Sequence, residues 1–175
     1  MIIWLMGLPG SGKSTLATAL KESFDKADVQ SFVLDGDVLR KGICADLGFS
    51  VKDRSENVRR IAHLSKLMSQ AGLVVIVASI LPLEELRVLA REIIDDEAYY
   101  EIYLKCPLNV CQTRDPKGLY KKALNGEVKD FTGISAPFEE PVQPDLVIDT
   151  NKLSGEQSLE IILQSILLPE QGRGL

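Results

Sequence analysis

Residues 7–15 read Gly7-Leu8-Pro9-Gly10-Ser11-Gly12-Lys13-Ser14-Thr15, the pattern G-x-x-x-x-G-K-S/T. An apolar run, Ile2 to Met6, precedes it, and a helix-spaced set, Leu16, Ala19, Leu20 and Phe24, follows. That context admits few folds, because a buried strand must feed a tight loop that opens a helix. Gly7, Gly10 and Gly12 permit turns that aim backbone N–H groups inward. Those donors and the positive end of the helix suit terminal phosphates. In this pattern Lys13 is expected to reach the β- and γ-phosphates, and Ser14 to place its hydroxyl on Mg²⁺. A glycine turn that merely starts a helix is the bland alternative, and the length and setting of the pattern argue against it. The motif marks nucleotide binding without choosing a reaction: a GTPase, an ATPase and a small-molecule kinase all use it.

The rest of the chain alternates strand and helix. Ser31 to Leu34 reads as a strand ending at Asp35-Gly36-Asp37. A helix is predicted from Val38 to about Leu47, stopped near Gly48. Asp53 is predicted to cap a longer helix to about Gln70, with Glu56 as the reciprocal partner and Gly72 as the breaker. Leu73 to Ala78 is almost wholly apolar, as a strand buried on both faces should be. A helix over Leu83 to Ile94, a strand over Glu101 to Leu104 and a helical turn over Leu108 to Arg114 follow. Residues 115–144 hold glycines, prolines and many charges around a brief helical piece, Leu119 to Leu124. They read as a mobile, functional excursion from the core. Leu146 to Ile148 is the last strand, and Gln157 to Leu168 the closing helix. This rhythm predicts an α/β fold: an open, mostly five-stranded parallel sheet covered by helices on both faces.

At 175 residues the chain suits one domain over 1–175, and 45% hydrophobic with 26% charged residues is an ordinary soluble composition. The net charge of −5 argues against a blanket cationic surface for nucleic acid. No apolar run reaches membrane-spanning length, and no basic leader precedes Ile2, so neither a membrane span nor a signal peptide is expected. Cys44, Cys106 and Cys111 are scattered and odd in number, which fits a reducing compartment and a cytoplasmic location.

Other residues point to a second ligand. Asp35 and Asp37 fall at a strand's carboxyl end, where open sheets place ligand groups. Asp35 is placed to organise Mg²⁺ or its water, or to orient an attacking hydroxyl. Asp37 and Arg40 share a helix face, which also allows a plain local ion pair. Arg54, Asn57 and Arg60 or its neighbour Arg59 are predicted to project on one side and offer forked donors to an oxyanion. A solvated face paired to Asp53 and Glu56 is the alternative. His63 lacks metal-ligand neighbours and reads as structural. Arg114, Lys117, Lys121, Lys122 and Lys129 concentrate positive charge in the excursion of an acidic protein, as in a lid over phosphates. Phe49 and Phe138 are equally suited to stack on a base or to anchor a loop.

Taken together these segments resemble adenylylsulfate kinase, a family of P-loop kinases. The resemblance runs from Trp4 to about Thr150. It is carried by the phosphate loop, Asp35-Gly36-Asp37 with Leu39-Arg40, Gly48-Phe49-Ser50 with Asp53-Arg54, and Glu56-Asn57 with Arg59-Arg60-Ile61-Ala62. Lys105-Cys106-Pro107-Leu108, Arg114 to Ala123, Phe131-Thr132-Gly133-Ile134 and Pro137-Phe138-Glu139 complete it. The resemblance implies phosphorylation of the ribose 3′-hydroxyl of adenosine 5′-phosphosulfate by ATP with Mg²⁺. It implies ATP on Gly7, Gly10, Ser11, Gly12, Lys13, Ser14 and Thr15, with Arg114 beside it. It implies acceptor contacts from Asp37, Arg40, Phe49, Arg54, Asn57, Ile80 and Phe138, with Lys121 in the closing lid. Asp35 and Lys13 become the catalytic pair, Ser14 and Asp35 the metal-binding pair, and a homodimer the assembly. One segment departs: the family usually has Ile-Ser-Pro-Tyr or a near variant followed by arginine, and this chain has Ile80-Leu81-Pro82-Leu83-Glu84. That loop lies beside the acceptor, so a kinase for another nucleotide conjugate, such as cytidine diphosphoramidate, stays open. A nonenzymatic nucleotide-gated interaction protein is the reading from another class, and Arg54, Asn57, Phe49 and the basic lid are surplus to it.

Overall fold

Ile2–Met6 (β1) is an uninterrupted run of fully buried apolar residues, the pattern of a strand covered on both faces. The structure, a computed structural model, describes residues 1–96 and 98–167. The other strands are β2 (Ser31–Asp35), β3 (Val74–Ala78), β4 (Tyr99–Lys105) and β5 (Leu146–Asp149). All pair in parallel, in the order β2-β3-β1-β4-β5, with Trp4 opposite Val77 on one side and Glu101 on the other. The helices are α1 (Lys13–Lys26), α2 (Gly36–Leu39), α3 (Val51–Gln70), α4 (Glu84–Ile94), α5 (Leu108–Arg114), α6 (Leu119–Leu124) and α7 (Gly155–Leu167).

Alternation along β1 builds both halves of the core. Ile2, Trp4 and Met6 pack with Val58, Ile61 and Ala62 of α3 and with Leu86 and Ala90 of α4. Ile3 and Leu5 pack with Leu16 and Leu20 of α1 and with Ile162 and Ile166 of α7. A third cluster, Leu8, Cys106, Cys111, Tyr120, Ala123 and Phe131, holds the excursion that follows Arg114. β1 stands between β3 and β4: the chain leaves β1 through α1 for β2 on the β3 side, and the connection from β3 through α4 crosses to β4 on the other. A crevice opens above the carboxyl end of β1, where the phosphate loop begins.

Three local expectations change. The helix predicted over 38–47 is only α2. From Arg40 the chain curls through tight turns, with Lys41 N–H on the Val38 carbonyl, Gly42 on Leu39 and Ala45 on Gly42. Gly42 is a poor helix interior, and the Arg40 side chain folds onto the Leu47 and Gly48 carbonyls, which fixes the curl. The long helix is capped by Ser50, not Asp53. The Ser50 hydroxyl accepts the Asp53 N–H at 3.1 Å, an N-cap three residues earlier than expected, and donates to the Asp53 carboxylate at 2.7 Å, a side-chain bond that holds the cap in place. Finally, α7 starts at Gly155, and its predicted last residue, Leu168, lies outside the described residues.

Glu56, freed from capping, joins a surface network. It accepts from Arg59 at 2.7 and 2.9 Å and from Arg60 at 2.9 Å, while Arg60 also forks onto Asp46 at 2.6 and 2.8 Å. The hydrogen bonds from Arg59 and then Arg60 hold the Glu56 carboxyl down at about 2, against an ordinary 4.5. A lowered folded value means stabilisation that is complete above pH 4.5 and lost as pH falls through about 2. Glu56→Gln is therefore expected to melt earlier than the parent protein at pH 7. The gap should close as pH approaches 2, as read by denaturant titrations across that range.

Candidate active site

The phosphate loop begins with a steric demand. Gly7 has φ +146°, and a Cβ there would lie 2.6 Å from the Leu104 carbonyl oxygen, so only glycine fits. Its N–H donates to the Ile80 carbonyl at 3.3 Å, so Gly7 shapes the loop from behind and offers no donor to a phosphate. Gly12, at φ +100°, is the N-cap of α1, which has neither a side-chain cap nor an acidic residue in its first turn. The helix N–H groups thus face the cleft free for an anion. Lys13 Nζ donates to the Gly7 and Leu8 carbonyls at 2.9 and 2.7 Å. Burial under the loop lowers its pKa from 10.5 to about 8, against the pull of Asp35 and Asp37. Tyr120 closes the loop from the excursion after Arg114, its hydroxyl donating to the Pro9 carbonyl at 2.9 Å.

Asp35 ends β2 and works with both oxygens. Oδ1 accepts the Asp37 N–H at 2.9 Å as the cap of α2, and Oδ2 accepts the Ser14 hydroxyl at 2.7 Å. Two hard oxygen donors at a helix N-terminus beside phosphate-binding groups match Mg²⁺, which takes its remaining ligands from phosphates and water. Among the described residues no group of three or more His, Cys, Asp or Glu side chains could hold a metal, which excludes an all-protein cage there.

Facing the phosphate loop is a second wall. The Arg40 guanidinium lies 4.3 Å from the Phe49 ring centre and donates to the Gly48 carbonyl at 2.9 Å. Arg54 donates from Nε to the Phe49 carbonyl at 3.0 Å and from Nη2 to the Asp130 carbonyl of the excursion. Asn57 is buried beside them, and its side-chain oxygen has no partner. An unpaired buried acceptor that lines a cleft suits a ligand donor. Asp37 pairs with Lys117, so the excursion is drawn down over the cleft. At the other end Arg114 donates to the Thr150 carbonyl at 2.6 Å, docking α5 on the end of β5. The cleft so enclosed measures about 770 Å³ and is lined by Gly10 to Thr15, Asp35, Asp37, Arg40, Phe49, Arg54, Asn57, Ile80 and Arg114.

Several sequence expectations are redirected. The pairs given for Asp37 and Arg40 are separate: Asp37 takes Lys117, and Arg40 takes carbonyls and Phe49. Arg59 and Arg60 turn away to Glu56 and Asp46 and form no common surface with Arg54. Lys121 is exposed on α6 and does not line the cleft; Lys117 and Lys129 do. Phe138 also lies outside the lining, because its ring stacks on Tyr103 at 6.1 Å and joins the core. Leu81, in the departing segment, adopts φ +47° with its side chain buried against the core, yet still edges the cleft. His63 is exposed on α3. The Asp130 carbonyl and Thr150 also take part, holding Arg54 and Arg114. Thr150 follows a strand's carboxyl end, a position that signals ligand proximity, whereas a backbone carbonyl leaves no mark in sequence.

Comparison with known proteins gives a consistent picture. The family described as adenylylsulphate kinase matches residues 1–149. A probable adenylyl-sulfate kinase of Halalkalibacterium halodurans is 49% identical over 172 residues, covering 98% of this chain and 85% of that protein. The APS kinase CysC of Mycobacterium tuberculosis, solved with AMPPNP and APS, superposes with a TM-score of 0.88 at 43% identity, covering 95% of this chain and 96% of that one. A hexameric APS kinase of Thiobacillus denitrificans superposes at 0.70 with 28% identity, covering 98% of this chain and 29% of that one. A family match across residues 1–149, joined to 49% identity over 98% of the chain, means that this chain belongs to the adenylylsulphate kinase family.

Proposed function

We propose that this chain transfers the γ-phosphoryl group of ATP to the ribose 3′-hydroxyl of adenosine 5′-phosphosulfate, giving 3′-phosphoadenosine 5′-phosphosulfate and ADP. The observation that carries the reading is that one cleft brings together the uncapped start of α1 and its loop on one side and Arg40, Arg54 and Asn57 on the other. Gly10 to Thr15 cradle the triphosphate through backbone donors and the helix end. Lys13 leaves the loop carbonyls for the β- and γ-phosphates and spreads the charge of the transferring group. Ser14 and Asp35 hold Mg²⁺, which neutralises phosphate charge and orients the terminal group when bound. Asp35 receives the hydrogen bond of the attacking hydroxyl. A bond forms from that oxygen to phosphorus as the bond to the β–γ bridging oxygen breaks; the hydroxyl proton passes to the Asp35 carboxylate and then to solvent, and ADP is the leaving group. Arg40, Phe49, Arg54 and Asn57 hold the acceptor, with Asp37 and Ile80 at its edge, and Arg114 stands beside ATP.

Residues 1–175 are read as one kinase domain and 115–144 as its lid. A homodimer and a cytoplasmic location complete the reading. The three free, buried cysteines support the location. Among the described residues no helix is long and apolar enough to cross a membrane. The hexameric relative makes the mass in solution, by light scattering, the test of the dimer.

The acceptor wall is tested by Arg54→Ala. Loss of a charge-assisted bond is expected to weaken acceptor binding by about 1.5–3 kcal/mol, or roughly 10- to 150-fold, with ATP binding nearly unchanged. Calorimetric titration with each nucleotide reads both. Unchanged acceptor affinity would assign Arg54 to loop support through Phe49 and Asp130 alone.

A further inference from the structure

The return limb of the lid, residues 137–140, is tied to α4 by contacts that neither cleft wall uses. Helix α4 has no side-chain cap of its own, since its N-cap position is Leu83. Glu139 supplies one from far along the chain, its Oε2 accepting the Glu84 N–H at 2.7 Å. The Glu139 N–H donates to the Pro82 carbonyl at 2.8 Å, and its own carbonyl accepts from Arg87 Nη2. Arg87 is fully buried, donates from Nη1 to Glu84 at 2.8 Å and places its guanidinium 5.9 Å from the Phe138 ring centre. Its Nε is buried without an acceptor, so the side chain is held there at a desolvation cost. Apolar groups often replace buried charges with no loss of stability. An apolar side chain, however, reaches no carbonyl of the lid.

We infer that Arg87 is a positioning residue: with Glu84 and Glu139 it forms the fixed root from which the lid closes. The lid's outer contact is of another kind. Lys117 and Asp37 are both exposed, and such pairs contribute little and re-form readily. The root instead joins a buried cation to a helix end. The return limb continues from Asp130 to Thr132, which wall the cleft beside Arg54 and Asn57. Loosening the root therefore disturbs the acceptor side more than Gly10 to Thr15. That consequence rests on the acceptor proposed above; the anchoring does not.

Arg87→Met keeps the bulk and removes the charge-assisted bonds, and Arg87→Lys keeps charge without the fork. Glu139→Ala removes the cap from an exposed position and leaves Arg87 in place. Amide hydrogen exchange on the nucleotide-free proteins reads the root directly. Amides over 128–140 are expected to exchange roughly tenfold faster in Arg87→Met and Glu139→Ala, with β1 and α1 unchanged. Acceptor KM is expected to rise roughly tenfold in Arg87→Met while ATP KM moves less than about twofold, and Arg87→Lys should fall between. Unchanged exchange over 128–140 in both Arg87→Met and Glu139→Ala overturns the anchor. Equal rises in both KM values overturn its acceptor-side action. A parent protein inactive on adenosine 5′-phosphosulfate overturns the proposed function, and the exchange data still decide the root.

Discussion

Lys13→Met is expected to lower kcat by about 10²–10³-fold while the far-ultraviolet circular dichroism stays that of the parent protein. The lysine has a resting place on the Gly7 and Leu8 carbonyls, so it is held at the loop before ATP arrives. Its depressed pKa, about 8, reflects burial; triphosphate charge beside it raises that value and keeps it cationic during turnover. Methionine has similar length and no charge, so the change removes stabilisation of the transferring group and leaves the strand, loop and helix. The fold is carried elsewhere, by Gly7 against Leu104 and by Leu16 and Leu20 in the core. Near-parental kcat in a folded Lys13→Met protein would remove Lys13 from the chemistry.

Asp35→Asn is expected to reduce kcat by roughly 10²-fold or more, with a smaller change in ATP affinity. The substitution is selective for a structural reason. The amide oxygen of asparagine still accepts the Asp37 N–H and caps α2, so the backbone at the end of β2 is kept. What disappears is the negative charge beside Ser14 and the acceptor for the attacking hydroxyl. Steady-state kinetics with a separate ATP titration separates the two effects. An unchanged kcat with ATP affinity alone reduced would make Asp35 a ground-state binding group.

The sheet and the phosphate loop were readable because their signals are local. Five apolar residues before a glycine read as an inner strand, and β1 spans Ile2–Met6 as expected. The curl after α2 was not readable, because it depends on where one long side chain, Arg40, folds. The cap of α3 was misplaced for a similar reason: Ser50 and Asp53 are both good caps, and only the path of the chain through Gly48 and Phe49 chooses between them. Arg59 and Arg60 looked like ligand donors by spacing alone, yet nearby carboxylates already satisfy them. Nothing in the sequence distinguishes Arg87, because an acid three residues earlier on a helix usually marks a solvated pair. It is covered by the segment around Phe138 and Glu139, a contact between residues 52 apart in sequence.

Acceptor-dependent ADP release by the purified protein decides whether this chain is an adenosine 5′-phosphosulfate kinase. Adenosine 5′-phosphosulfate and cytidine diphosphoramidate are supplied in parallel, and the phosphorylated product is located by phosphorus NMR. Adenosine 5′-phosphosulfate is expected to drive ADP release in equal amount with a new phosphate on its 3′-oxygen, and the cytidine conjugate to give far slower turnover. No ADP release above the acceptor-free rate with the adenosine compound, or faster turnover of the cytidine conjugate, would contradict the proposed activity.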